Sequence, residues 1–305
     1  MGDAPRRRGV QGWKARMTDI RYLAPRTLDE AVSAFAAASG AARILAGGTD
    51  LLVQMRAGVA KPGTIIDIKK IVEMTAIEDL GGGAFRIGAA VPGAVLAEHP
   101  TFGKAWPGVL EAINLIGSKQ VQGRASPGGN LCNASPAGDS VPAMVAAGAV
   151  VTIQGPNGRR ELPVEKVPAG PGRTTLAPGE LVVSFTLPAR PKGSGDAYLR
   201  MIPRTEMDIA VVGMGVNLTL EGGVVKAARV GLGAVAPTVL LVEDAGKALV
   251  GSRLEDAALE AAAAACRAAC NPINDKRGTI AYRIKVAGVL LKRTAAIAAQ
   301  RAGGN

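Results

Sequence analysis

Histidine is almost missing from this chain: 305 residues contain one, His99. That scarcity removes most metal sites and leaves any Ser-His-Asp or Cys-His scheme hanging on a single residue. His99 follows Glu98 and precedes Pro100 at a predicted helix end, and reads as a surface residue. Cysteine is scarce too. Cys132, Cys266 and Cys270 are too few for a disulfide framework and fit a reducing, cytoplasmic compartment. Cys266 and Cys270 stand four apart among alanines, on one face of a predicted helix, and read as packing residues. Cys132 reads as a small buried residue. With 2 Trp, 3 Tyr and 4 Phe there is no stacking platform for single-stranded nucleic acid, despite a net charge of +11. The charge suits anionic ligands or an acidic protein partner instead. No apolar run reaches the ~20 residues that span a bilayer. The stretch 141–151 is short, and Gly148 interrupts it.

Residues 1–16 carry Arg6, Arg7, Arg8, Lys14 and Arg16 against Asp3 and lack the apolar core of a secretory signal. They read as a disordered or mis-assigned extension, with Met17 opening the patterned chain. Thr27-Leu-Asp-Glu30 is a capping box for a helix over 28–38. Strand 43–46, a short helix 51–56 and strand 64–68 follow, an alternation that favours parallel pairing. Next come strands 74–78 and 85–88, helices 91–96, 102–115 and 140–147, and strands 150–154 and 181–187. Residues 189–196 read as a linker. Beyond it lie strands 197–203, 211–220 and 224–233, with Gly222-Gly223 between the last two. A second capping box, Ser252-Arg-Leu-Glu255, opens a helix over 253–270, and the last helix covers 278–299.

Two glycine-rich loops stand out. Ala46, Gly47, Gly48, Thr49 and Asp50 lie between a strand and a helix. Ser126, Pro127, Gly128, Gly129 and Asn130 form the second, and Asp139 follows. Paired glycines let backbone amides approach a ligand with no Cβ in the way, and successive amides make a nest for anionic oxygens. One loop can hold one phosphate; two loops from separate subdomains suit a diphosphate between them. Thr49, Ser126 and Asn130 add side-chain donors. Asp50 and Asp139 would repel phosphate, so they suit a ribose hydroxyl, an amide or a ring nitrogen. Gly231-Leu-Gly-Ala-Val-Ala236 also matches a dinucleotide fingerprint, but Pro237 follows it and no βαβ continuation does, so it reads as a strand end.

At these loops the chain resembles the FAD-binding middle subunits of molybdenum hydroxylases, such as the medium subunit of aerobic carbon monoxide dehydrogenase and the flavin domain of xanthine dehydrogenase. The resemblance rests on four motifs: Leu45-Ala-Gly-Gly-Thr-Asp-Leu-Leu52, Gly128-Gly-Asn-Leu-Cys-Asn-Ala-Ser-Pro-Ala-Gly-Asp139, Arg204-Thr-Glu-Met-Asp-Ile-Ala210 and Asp275-Lys-Arg-Gly-Thr-Ile-Ala-Tyr-Arg283. It implies an α+β chain. Residues 17–190 would be a two-subdomain FAD-binding fold of the vanillyl-alcohol oxidase type, divided at about 72. Residues 195–303 would be a small antiparallel sheet packed with helices. Residues 46–50, with Ser126, Gly128, Gly129 and Asn130, would hold the FAD diphosphate. Asp139 would be a further polar contact, Val182 would lie against the flavin, and Arg200 would place a cation near it. A large molybdopterin subunit and a small subunit with two [2Fe-2S] clusters are the implied partners, in a dimer of heterotrimers, with this chain relaying electrons from the clusters to an external acceptor. The chain departs from the pattern at Ala125 and Pro127; the proline removes a backbone donor. Three scattered cysteines exclude the extra iron–sulfur cluster of one branch, and no residue stands where related oxidases attach flavin, so the FAD is expected to be noncovalent. A stand-alone FAD-dependent oxidoreductase of the same fold is the alternative.

Overall fold

The computed structural model describes residues 20–38 and 40–303. The extension expected over 1–16 lies outside them. The first unit carries strands β1 (Arg21–Leu23), β2 (Ala42–Leu45) and β3 (Thr64–Asp67), in the order β1-β3-β2. Both pairings are parallel, Arg21 opposite Thr64 and Ala42 opposite Thr64. Helix Leu28–Ala37 connects β1 to β2. Its N-cap Thr27 accepts from the Glu30 amide, while Glu30 accepts from Arg26 N rather than from the capping residue.

The second unit holds β4 (Ile77–Gly81), β5 (Ala84–Gly88), β6 (Val150–Gly155), β7 (Gly158–Pro163), β8 (Pro168–Gly170), β9 (Arg173–Thr174) and β10 (Leu181–Leu187). The main sheet is antiparallel in the order β4-β5-β10-β6-β7. Two expectations shift here. Residues Val72–Thr75 form a helical turn that buries Met74, so the strand expected over 74–78 begins at Ile77. The helix expected over 102–115 is two helices, Phe102–Ala105 and Pro107–Ile113, broken where Trp106 leaves the helical region ahead of Pro107.

The third unit is an antiparallel sheet of β11 (Ser194–Met201), β12 (Val212–Glu221), β13 (Val224–Gly233) and β14 (Leu240–Leu241) in sequence order. Helices Glu243–Leu249, Asp256–Ala269 and Ile280–Gly303 follow. β11 starts inside the stretch read as a linker, and Asp196 there is 3% exposed. The second capping box does not form. Ser252 Oγ instead donates to Leu249 O and accepts from Leu254 N, and the helix starts at Asp256. Two apolar cores result, one shared by the first two units and one in the third. Helix Ser140–Ala147 is buried along its whole length. A Cβ on Gly215 or Gly231 would stand 2.6 or 2.1 Å from Pro142 O, so both positions need glycine to seat this helix on the third sheet. Gly231 of the apparent dinucleotide fingerprint is thus a packing residue.

Candidate functional site

The first glycine loop is a true loop. β2 delivers residues 46–50 to the floor of a cleft, and helix Leu51–Arg56 follows. Lys69 Nζ holds the loop's entry by donating to Ala46 O at 2.9 Å and to Asp67 Oδ1 at 2.7 Å. Among the described residues, the amides of Gly47, Gly48, Thr49 and Asp50 donate to no backbone carbonyl, which leaves them for a ligand. A Cβ on Gly47 would lie 1.9 Å from Arg124 O. The absence of that atom is what lets this loop meet the second one.

The second loop is not an open nest. Residues Pro127–Cys132 are helical, capped by Ser126, whose Oγ accepts from Gly129 N at 3.2 Å. Gly128 N donates to Ala89 O at 3.0 Å. Pro127 occupies the first turn, where its missing N–H costs nothing. Asn130 Oδ1 accepts from the amide and the hydroxyl of Ser140, at 3.2 and 2.7 Å. Its NH2 remains a donor on the cleft wall.

These segments enclose a cavity of about 350 Å³. Of the residues singled out in the sequence, Ala46, Gly47, Gly48, Thr49, Asp50, Ser126, Gly128, Gly129, Asn130 and Val182 line it. Val182 lies at a bulge in β10. Phe35, Ile44, Leu176 and Leu181 make the wall largely apolar. Cys132 is not a core residue: it is exposed and lines the cleft. Partial burial raises the Asp50 carboxyl. Three polar lining residues were missed in the sequence: Gln54, Asn133 and Glu180. Gln54 sits one helical turn after Asp50, a spacing that signalled it. Glu180 is gripped by Arg160 through two 2.7 Å contacts, which hold its carboxyl below the usual range.

Asp139 and Arg200 are absent from that lining and instead bond to each other. Arg200 Nη1 donates to Asp139 Oδ2 at 2.7 Å, and the Tyr198 hydroxyl donates to Asp139 Oδ1 at 3.0 Å. Burial drives the Asp139 carboxyl up to about 6 against the pull of both partners, and burial with the adjacent carboxylate raises Tyr198. Arg200 Nε is a buried donor with no partner among the described residues. Tyr198 was not singled out in the sequence, although it lies two residues from Arg200 on the same strand face.

Away from the cleft, the two remaining motifs meet each other. Arg277 Nε donates to Asp208 at 2.9 Å, and buried Arg283 donates to Asp275, Val211 O and Ala234 O. Cys266 is in the core as expected. His99 is half-buried rather than free on the surface: its Nδ1 accepts from Phe102 N, and its ring stands edge-on to Phe85. Among the described residues no group of three or more His, Cys, Asp or Glu is placed to hold a metal ion. No helix there is long and apolar enough to cross a membrane.

Residues 17–190 match the family described as the FAD binding domain in molybdopterin dehydrogenase, and residues 197–298 match the CO dehydrogenase flavoprotein C-terminal domain. The chain is 34% identical over 274 residues to the carbon monoxide dehydrogenase medium chain of Hydrogenophaga pseudoflava, covering 90% of this chain and 95% of that one. It is 29% identical over 264 residues to the xanthine dehydrogenase FAD-binding subunit of Escherichia coli O157:H7, covering 86% and 90%. Among solved structures, reconstituted CO dehydrogenase from Oligotropha carboxidovorans superposes with a TM-score of 0.89 at 33% identity, over 92% of this chain and 98% of that one.

Proposed function

The chain belongs to the flavoprotein family of the molybdopterin dehydrogenases, an oxidoreductase subunit with an FAD-binding domain, and from that premise we propose that it is the electron-relay subunit of a molybdenum hydroxylase. The proposed path takes electrons from the [2Fe-2S] clusters of a small partner subunit, beside a large molybdopterin subunit, and passes them to an external acceptor in the cytoplasm. FAD, when bound, supplies the two-electron chemistry; the protein supplies position and electrostatics. The observation that carries the reading is the single cleft lined by both glycine segments, with four loop amides free to donate.

In this reading the amides of residues 47–50 take the diphosphate, with Thr49, Ser126 and the Asn130 NH2 as further donors and Gly128 and Gly129 allowing close approach. Val182 and its apolar neighbours exclude water from the ring. The parallel first sheet and antiparallel second sheet then correspond to the two subdomains of a vanillyl-alcohol oxidase type fold. Asp139 and Arg200 act as a pair behind the cleft. The guanidinium favours added negative charge nearby, and the carboxylate moderates that effect. The test is to purify the complete chain together with its co-expressed partner chains, desalt it, and quantify the FAD released by acid precipitation through its fluorescence. Near-stoichiometric FAD that disappears when Gly47 and Gly48 are both changed to Ala supports the assignment. A complex that releases no FAD refutes it.

A further inference from the structure

One lip of the cleft is poorly anchored by packing. Helix Leu51–Arg56 has no buried residue, and Leu52 and Val53 are 49% and 64% exposed. Burial of apolar surface therefore does not fix its place. Among the described residues, the side-chain hydrogen bonds that cross to it from the opposite lip come from one residue. Asn133, directly after helix Pro127–Cys132, accepts at Oδ1 from Gln54 Nε2 at 3.1 Å and donates through Nδ2 to Asp50 Oδ1 at 3.3 Å. Asp50, Gln54 and Asn133 all line the cavity, and Asn133 is 79 residues from Gln54 in sequence.

We propose that Asn133 is a positioning residue whose amide latches the two lips across the cleft, so that the Asp50–Asn133–Gln54 bridge sets how long FAD stays bound. The inference rests on the FAD assignment above. A carboxamide suits the task because it offers an acceptor and a donor on one planar group, and here each faces its complement: the Gln54 NH2 and the Asp50 carboxylate. A carboxylate at position 133 could accept from Gln54 but would face Asp50 with like charge. An apolar side chain could do neither. Because the latch joins lip to lip, it acts on release of the cofactor and leaves its redox potential alone.

The experiment follows the rise of FAD fluorescence after dilution of the assembled complex, with thermal unfolding and redox potential recorded for each variant. Asn133→Asp is expected to speed release about tenfold and Gln54→Leu several-fold, at unchanged potential. The exchange variant, Asp50→Asn with Asn133→Asp, lets amide and carboxylate trade places and is expected to restore release to within about threefold of wild type. Wild-type release from Asn133→Asp overturns the latch. So does an exchange variant of wild-type thermal stability that releases as fast as the single variant. A wild-type complex without flavin would instead overturn the FAD assignment beneath it.

Discussion

Gly47 is the most exacting position in the cleft, and the reason is a backbone atom. A Cβ there would lie 1.9 Å from Arg124 O, and a carbonyl cannot rotate away as a side-chain tip can. Gly47→Ala must push the two lips apart, at about 1–3 kcal/mol or more, and is expected to remove bound flavin. Gly123→Ala, whose nearest neighbour would be Gln120 O at 3.5 Å, is the control and is expected to keep it. FAD released by acid from the desalted complex, per mole of protein, decides between them; equal flavin in both variants refutes the argument. Asp139 makes a second prediction at this scale. Its carboxyl is raised by burial from 3.8 to about 6, so between those values the folded chain holds a proton that the unfolded chain has lost. Stability from this group is present below about pH 4 and is lost as the pH rises through about 6, by an amount on the order of 3 kcal/mol. Unfolding free energies of wild type and Asp139→Asn, compared from pH 4 to pH 7.5, are expected to show wild type losing ground over that window and then running parallel. A pH-independent difference refutes it.

At the scale of elements, local patterns were readable and handovers between elements were not. The Thr27 cap, the parallel β2–β3 pair and the two-residue turn at Gly222-Gly223 follow from local chemistry, and the structure has all three. The second glycine segment illustrates the limit. Its Ser-Pro-Gly-Gly string reads equally as an open anion nest or as a capped helix start, and only the position of Ala89 O, which takes the Gly128 amide, selects the helix. In the same way, nothing local predicts that Asp139 meets Arg200, 61 residues on, rather than the cleft. Asn133 was invisible because its two partners lie on another subdomain. Arg283 shows how much such non-local contacts can carry. This buried side chain pins helix Ile280–Gly303 to Val211 O at 2.7 Å, Ala234 O at 3.1 Å and Asp275 at 2.8 Å. Arg283→Met keeps the volume but strips three acceptors, and is expected to destabilise the chain by about 2–4 kcal/mol without lowering its flavin content. Chemical denaturation of the flavin-loaded variant measures the first part and its spectrum the second; loss of flavin at unchanged stability would place Arg283 in the cofactor site instead.

At the scale of the molecule, the stretch that reads as a linker behaves as a weld. Asp196 lies within it, yet it is buried and spans the two halves. Its Oδ1 takes Arg190 at 2.9 Å, and its Oδ2 takes the amide of Val109 at the start of helix Pro107–Ile113. Arg190 in turn stacks over Trp106 at 4.2 Å. From the other end of the chain, Arg301 donates to the Asp196 carbonyl and pairs with Glu111, whose carboxylate also takes the Tyr198 amide. Together with helix Ser140–Ala147 seated on the third sheet, these contacts join the halves and are expected to make them unfold as one body. Each half has its own core, so cooperativity between them depends on the joint. Asp196→Ala leaves Arg190 buried beside an unpartnered helix start, a loss of about 3–5 kcal/mol concentrated at that joint. Calorimetry is expected to show one transition for wild type and two for the variant, the lower one from the half with the smaller core. A single transition at an unshifted temperature would mean that helix Ser140–Ala147 alone couples the halves.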